Sequence, residues 1–522
     1  MPVKPLSMPA QRAQSSLPPL DSVVPLHSEQ ALELALFPWR GQGTLHDRAK
    51  VMLAFTDLVV LGLCFLVGRV LFWVSEDIAF QQAMSPHWIG QGQLWLVLFG
   101  NISLGMVAWM GAVYGHYTAA RRQPWFDELR ELLLVIAAAA MINLVIDYLG
   151  NWPVSRLWTG VSWVLVLVLL PLVRYGVRNK LLSKGLLTQP YVLVGHPQDL
   201  PQAAAALASE PLMGYTPVAV VCPQLPPQTI ELAGHRLLPM ALSDGARQFL
   251  AKPGSYQVVA VLPEHNSGWL RDFAQDLMLT RDDITIVPAL SGLPMLGMEV
   301  SHFFSHEVLL LRARNNLHRR GAKLLKRSFD ILGSAALLLL LSPVFVYLAW
   351  RISRDGGSAF FGHERVGQSG RPFKCYKFRS MVMNAKEVLA QLLVNDPEAR
   401  AEWERDFKLK NDPRIHPLGH FLRKSSIDEL PQLWNVFKGD MSLVGPRPVV
   451  KDELSRYGKH VDHYLKAKPG MTGLWQVSGR SDTDYATRVY FDAWYVKNWS
   501  LWYDIVILLR TISVVFKQSG AR

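Results

Sequence analysis

The stretch Ile331–Trp350, ILGSAALLLLLSPVFVYLAW, carries no charged side chain and has about the 20 residues that a helix needs to cross a bilayer. A simple crossing would put everything after it on the far side, yet that part is the most basic and motif-rich in the chain. Arg351, Arg354 and Lys374 follow closely and oppose translocation. Ser342 and Pro343 interrupt the run in its middle, where a proline removes a backbone donor and kinks a helix. A helix, a break and a second helix that enter and leave on one face satisfy both facts. This predicts a re-entrant helix over 328–352, its broken backbone covered by protein or by Ser342, since lipid offers no hydrogen bonds. Before it stands a basic stretch, Arg312, Arg314, His318, Arg319, Arg320, Lys323, Lys326 and Arg327. Such a cluster attracts anionic headgroups at about 1 kcal/mol per residue.

The rest of the chain agrees with a membrane setting. Of its 522 residues, 50% are hydrophobic and only 18% charged, which is unusual for a soluble protein. Toward the N-terminus, Val51–Val74, Leu94–Tyr114, Leu132–Leu149 and Leu157–Val173 read as four transmembrane helices, a bundle over 48–185. Arg48 and Lys50 precede the first, Arg121, Arg122 and Arg130 lie between the second and third, and Arg174, Arg178, Lys180 and Lys184 follow the fourth. The alternate loops are poor in basic residues, so both termini and the C-terminal domain are expected on the cytoplasmic side of the membrane. Asp57, inside the first span, is read as sitting near the interface and pairing with a basic neighbour, with Lys50 only two turns away. Residues 1–47, with seven prolines up to Pro38, read as a disordered arm rather than a signal peptide.

Between these membrane segments the pattern changes. Short apolar runs at Tyr191–Val194, Val218–Cys222, Val258–Leu262 and Ile284–Val287 alternate with helical stretches at Pro201–Ser209 and Trp269–Leu279. That alternation predicts a Rossmann-like α/β domain with a parallel sheet over 186–300, followed by a linker over 301–322. The turn after the first strand, Gly195 to Leu200, lacks the glycine spacing of a dinucleotide fingerprint, which favours a structural or regulatory module. Cys64, Cys222 and Cys375 have neither disulfide-framework nor zinc spacing. The formal charge of +12 does not by itself choose among nucleic acid, anionic lipid and a phosphorylated substrate. Its placement beside membrane segments favours the last two, with no nucleic-acid partner.

The chemistry concentrates in the last third, 323–522, read as an α+β catalytic domain. At its centre Ser426-Ile427-Asp428-Glu429-Leu430-Pro431 implies a helix beginning near Asp428, since proline is tolerated only in a first turn. Both acids then lie at its positive end. Plain capping also explains them, as Ser426 and Glu429 match a capping box. The basic surroundings, including Lys377, Arg379, Arg423 and Arg447, shift the balance toward phosphate binding. Arg447 lies in Gly445-Pro446-Arg447-Pro448, where flanking residues fix the backbone; a rigid turn with a solvated arginine is the competing reading. Lys377 and Arg379 alternate as on a strand and should project on one face to complete a phosphate cradle. Adjacent acids on a helix point about 100° apart, so Asp428 and Glu429 should divide the labour, one as nucleophile and one holding magnesium. Tyr490–Phe516 reads either as interfacial helices or as a core helix of this domain.

These segments, together with Lys326-Arg327-Ser328-Phe329-Asp330, Gly439 to Pro448 and Lys468 to Arg480, resemble the monotopic phosphoglycosyl transferases. From the first span onward the chain is similar to the large bacterial members that pass galactose phosphate to undecaprenyl phosphate. The resemblance implies that Asp428 forms a covalent phosphosugar intermediate and that Glu429 binds Mg2+. It implies that Ser342 and Pro343 break the re-entrant helix, that Arg447 and Arg480 face the nucleotide-sugar, and that the protein forms a homodimer. The implied reaction takes hexose-1-phosphate from a UDP-hexose, releases UMP and loads undecaprenyl phosphate, with galactose favoured and glucose next. His420 stands where the family has arginine or lysine. A non-catalytic membrane scaffold for polysaccharide assembly is the alternative, and a nucleotide-sugar oxidoreductase would need the dinucleotide site that the glycines do not supply.

Overall fold

The computed structural model describes residues 28–39, 42–75, 86–117, 122–149, 156–223, 230–232, 234–237, 239–252, 254–262, 268–281, 284–288, 298–302, 309–313, 320–400, 409, 412–478 and 484–516. The chain divides into two units, Met1–Leu290 and Ser291–Arg522.

The first unit opens with α1 (Ser28–Leu36), then α2 (Gln42–Ser75), α3 (Pro86–Ala112), α4 (Trp125–Leu149) and α5 (Arg156–Ser183). Within α2, α4 and α5, the segments Asp47–Leu71, Trp125–Leu149 and Leu157–Ser183 are long and apolar enough to cross a membrane. Of the expected second span, α3 carries a shorter apolar part, Val97–Ala112. The four long helices share one core, with Leu61, Phe65, Phe99, Met106, Leu132, Ile136, Trp163 and Leu170 buried together. Phe55, Leu66, Leu134, Leu144, Val164 and Leu172 face outward and are each more than half exposed. So much contiguous outward apolar surface suits lipid rather than water, and the protein is membrane-associated. At Gly68 a Cβ would lie 2.8 Å from the Trp158 ring, so glycine there permits the close approach of α2 and α5.

Two expectations change here. The arm over 1–47 is not wholly disordered: α1 lays Leu32 and Leu36 into a core with Val192, Ala246 and Phe273, and α2 begins at Gln42. Leucines at i and i+4 share a helix face, so a short amphipathic helix is stable once a partner surface exists. Asp57 is fully buried and pairs with Arg174 of α5 rather than with Lys50. Tyr117 Oη donates to it at 2.6 Å, while Lys50 donates to the His116 carbonyl at 3.1 Å. Arg174 also reaches Glu128 at 2.9 Å, and Arg178 pairs with the same carboxylate. Arg174 and Arg178 are therefore buried within the helix assembly rather than free basic flanks.

The α/β part contains β1 (Gln189–Val194), α6 (Leu200–Ala208), β2 (Tyr215–Cys222), a small hairpin of β3 (Ile230–Leu232) and β4 (His235–Leu237), then β5 (Pro239–Ala241), α7 (Asp244–Ala251), β6 (Gln257–Leu262), α8 (Gly268–Thr280) and β7 (Ile284–Pro288). Five strands form a parallel sheet in the order β5-β2-β1-β6-β7. Leu193, Val220 and Val259 pack with Leu200 and Ala203 on one face; Val194, Val221 and Val258 pack with Leu250 and Leu270 on the other. Burial on both faces is why these strands read as continuous apolar runs. Gly195, at the end of β1, lies against Leu200 and Val261, a packing role.

The second unit begins with antiparallel β8 (Met298–His302) and β9 (Leu309–Ala313), so the expected linker over 301–322 contains a hairpin. Helix α9 (Arg320–Leu340) and α10 (Ser342–Ile352) follow, bent by 63° at Leu341. Pro343 occupies the first turn of α10, and Ser342 Oγ donates to the Leu339 carbonyl at 2.7 Å, covering one acceptor freed by the break. The polar start of α9 is built into the domain behind it. Lys326 pairs with Asp504 at 2.8 Å, Arg327 donates to the carbonyls of Val436 and Phe437, and buried Asp330 accepts from Ser442 Oγ and Leu443 N–H at 3.0 Å.

That domain comprises the β10 (Phe360–Val366) and β11 (Pro372–Phe378) hairpin, α11 (Pro417–Lys424), α12 (Gln432–Lys438), parallel β12 (Ser442–Val444) and β13 (Gly470–Thr472), α13 (Leu474–Ser478), α14 (Tyr485–Lys497) and α15 (Leu501–Phe516). Of the two readings of the aromatic tail, the core one holds for its centre. Tyr495 and Trp499 are buried and both donate to Asp504, at 2.7 and 3.0 Å. Leu509 and Ile512 of α15 remain exposed.

Candidate active site

The acidic pair lies one turn earlier than a helix start. Ile427–Glu429 forms a single 3-10 turn, Pro431 caps α12, and the α-helix begins at Gln432. Ser426 has φ 56°, a left-handed conformation that non-glycine residues rarely hold, and its side chain makes no capping bond. The capping box that would have explained the pair without chemistry is therefore not formed. The tighter turn also alters the expected divergence of the two acids. Lys377 Nζ lies 2.6 Å from Glu429 Oε1 and 3.9 Å from Asp428 Oδ2, so both carboxylates reach one ammonium.

Asp428 is the more sheltered of the two, its side chain 13% exposed against 37% for Glu429. Burial pushes the Asp428 carboxyl up to about 6; Lys377 and Arg423 pull it down and Glu429 pushes it further up. The side chain is thus a desolvated carboxyl that holds its proton more tightly than an ordinary aspartate.

Asn435, fully buried on α12, locks the lysine strand against this turn. Its Nδ2 donates to the Lys374 carbonyl at 2.7 Å and its Oδ1 accepts from the Tyr376 N–H at 3.0 Å. Asn435→Ala removes both bonds and strands two buried backbone groups. The apparent thermal midpoint in detergent should fall by the equivalent of about 2–3 kcal/mol, and an unchanged midpoint would show that the strand is held by other means.

The cations divide into those the fold brings to the acids and those it does not. Arg423 lies within electrostatic range of Asp428 and its Nε donates to Ser380 Oγ at 2.9 Å. Arg447 is accessible; desolvation and Arg488 lower its proton affinity, while Glu429 and Glu453 raise it. Beneath it, buried Asp492 receives the Arg447 backbone N–H and the Tyr457 hydroxyl, the latter at 2.8 Å, and burial pushes its carboxyl up to about 7. Arg379 departs from expectation. Strand β11 ends at Phe378, so the alternation does not extend to it, and Arg379 pairs with Asp355 and donates to the Ile352 carbonyl at the end of α10. His420 is exposed on α11. Arg480 lies outside the described residues. Arg488 escaped the sequence reading, and Trp475 entered it only within the Lys468 to Arg480 motif, because their contact is tertiary: the Arg488 guanidinium stacks over the indole at 4.6 Å.

A sharply bent apolar helix, membrane-length helices elsewhere in the chain and an acidic turn ringed by cations define a membrane-associated protein with a site suited to an anionic substrate. A family model described as bacterial sugar transferase matches residues 321–518. The chain is 44% identical over 480 residues to an undecaprenyl-phosphate galactose phosphotransferase of Salmonella typhimurium (strain LT2), over 90% of this chain and 97% of the relative. It is 45% identical over 479 residues to a UDP-galactose-lipid carrier transferase of Erwinia amylovora, again over 90% and 97%. Exopolysaccharide production protein ExoY of Rhizobium meliloti is 51% identical over 197 residues, 38% of this chain and 87% of that relative. The chain belongs to the bacterial sugar transferase family, and it is a transferase.

Proposed function

We propose that the protein transfers hexose-1-phosphate, galactose-1-phosphate before glucose-1-phosphate, from a UDP-hexose to undecaprenyl phosphate, releasing UMP. The product, undecaprenyl-diphospho-sugar, begins the membrane stage of a surface polysaccharide. The observation that carries this reading is the sheltered Asp428 carboxyl, raised to about 6, beside Lys377 and Arg423 in a domain that also holds the bent apolar helix. The Asp428 carboxylate attacks the phosphorus that bears the sugar, and the bond from that phosphorus to the bridging oxygen breaks as UMP leaves. An oxygen of undecaprenyl phosphate then attacks the same phosphorus and frees the carboxylate. Lys377, Arg423 and Arg447 orient the phosphates, with Arg480 as a further candidate from its motif.

Magnesium fits the donor set. Mg2+ is held by one or two carboxylates and completes its shell with phosphate and water. Among the described residues no group of three or more His, Cys, Asp or Glu could hold a metal ion by itself, and the accessible Glu429 carboxylate already attracts the Lys377 cation. Glu429 would hold the ion, which when bound supplies charge neutralisation for diphosphate oxygens.

In this reading the four long helices of the first unit form a transmembrane bundle, α9 and α10 enter and leave the membrane on one face, and the catalytic domain and both termini are cytoplasmic. The active form is a homodimer. Incubating the full chain with UDP-galactose labelled in the sugar phosphate and with undecaprenyl phosphate should label the lipid and release UMP in equal amounts. A chain starting near Arg319 should keep part of this activity. Neither label transfer nor UMP release from any of a panel of UDP-sugars would reject the reading in favour of a scaffold.

A further inference from the structure

Trp475 gathers two cations. The guanidinium carbon of Arg488 lies 4.6 Å from the centroid of its ring and that of Arg447 lies 5.4 Å away. Like charges brought together at one indole repel, and the carboxylate paired with Arg488, Glu453, stands off at 3.7 Å. The Trp475 indole N–H, the Arg488 Nε and the neighbouring Gln476 side-chain oxygen are buried without a hydrogen-bond partner. The unsatisfied N–H donors of Trp475 and Arg488, beside two guanidiniums on one ring, mark a place where an anion completes the structure, and the Gln476 oxygen is free to accept from a hydroxyl or N–H of the same ligand.

The position of this cluster relative to the acids has a direction. Asp428 feels the charges of Lys377, Glu429 and Arg423, whereas Arg447 feels those of Arg488, Glu429 and Glu453. Glu429 is common to both sets, so the cations around Asp428 and those at Trp475 lie within electrostatic range of the same acidic turn. A nucleotide-sugar diphosphate has two phosphates with different fates: one is attacked, and the other departs with the nucleoside. We propose that Arg488, stacked with Arg447 on Trp475, grips the departing nucleoside monophosphate half of the donor, while Lys377 and Arg423 hold the phosphate that is attacked. This rests on the transferase reading above. As the Asp428 oxygen bonds to phosphorus, the electron pair of the broken bond leaves with the bridging oxygen, and the two guanidiniums receive the charge that develops there. Gln476 and the Trp475 N–H supply further polar contacts to the same half.

The test uses the full chain in lipid nanodiscs. UMP binding is measured by calorimetry, and KM is measured separately for UDP-galactose and undecaprenyl phosphate. Arg488→Gln should weaken UMP binding and raise the donor KM by about 10- to 100-fold, the worth of one charge-assisted hydrogen bond, with the acceptor KM changed less than about twofold. Arg488→Lys, which keeps the charge but loses the fork, should fall between. Trp475→Phe, a weaker platform for cations, should shift the same parameters in the same direction by less. UMP bound equally by wild type and Arg488→Gln would overturn the proposal, as would parallel losses for donor and acceptor, the mark of a merely structural role. A wild-type chain that neither binds UMP nor labels lipid would instead reject the underlying transferase reading.

Discussion

Asp428→Asn should abolish both lipid labelling and UMP release, by on the order of 10^4-fold or more, as expected when a nucleophile is removed, while making the protein more stable at neutral pH. The two effects have one cause. The Asp428 carboxyl is raised from 3.8 to about 6 chiefly by burial, so between those values the folded chain binds a proton that the unfolded chain has lost. Stability therefore declines as pH rises through this window, and above about 6 the native state carries an ionised carboxylate that its surroundings penalise. Asparagine has no charge to desolvate. At pH 7.5 the variant should gain up to about 3 kcal/mol, seen as a higher apparent unfolding midpoint, and the gain should vanish near pH 4. For the wild type, turnover should fall about tenfold per unit below pH 6 as the proposed nucleophile protonates. Wild-type turnover in Asp428→Asn would remove the assignment, whereas equal midpoints at pH 7.5 would mean that the carboxylate is not desolvated.

What the sequence disclosed depended on whether a feature is written locally. Strands β1, β2 and β6 are largely buried and read as apolar runs, and the edge strand β7, half-buried, reads through Ile284, Ile286 and Val287, whereas β5, three residues starting with Pro239, leaves no such signal. The break at Ser342 and Pro343 was legible because proline acts on its own turn. Helix α1 was missed because its leucines gain their value only against Val192, Ala246 and Phe273, more than a hundred residues away. At the site, the acidic pair and its neighbours Lys377, Arg423 and Arg447 were legible as a concentration of charge. Their arrangement was not: the left-handed Ser426 and the 3-10 turn, which bring Lys377 to 2.6 Å from Glu429 and 3.9 Å from Asp428, leave no local mark in the sequence. The commitment of Arg379 to Asp355 follows from where β11 stops, and no local pattern marks that point.

Arg174→Met should be strongly damaging to the first unit. Its guanidinium joins three helices, pairing with Asp57 of α2 and with Glu128 of α4 from its own place on α5. Both Arg174 and Asp57 are essentially inaccessible. Removing the cation leaves Asp57 with the hydrogen bond from the Tyr117 hydroxyl, while Glu128 retains Arg178. An uncompensated buried charge costs about 3–5 kcal/mol, more than the lost attraction between the ions, because desolvation of the survivor is no longer offset. The apparent thermal midpoint in nanodiscs should therefore drop sharply for Arg174→Met and by less for Asp57→Asn, which keeps a hydrogen-bonding side chain. Asp57→Leu combined with Arg174→Met should recover much of the loss, since no ion is then left alone. The chemistry argues for a specific dissociation of effects: Asp428, Glu429 and their cations lie in the other unit, so whatever protein remains folded should turn over with near wild-type kcat. Single variants as stable as wild type would show that water reaches this pair and that it does not fix the register of the helices.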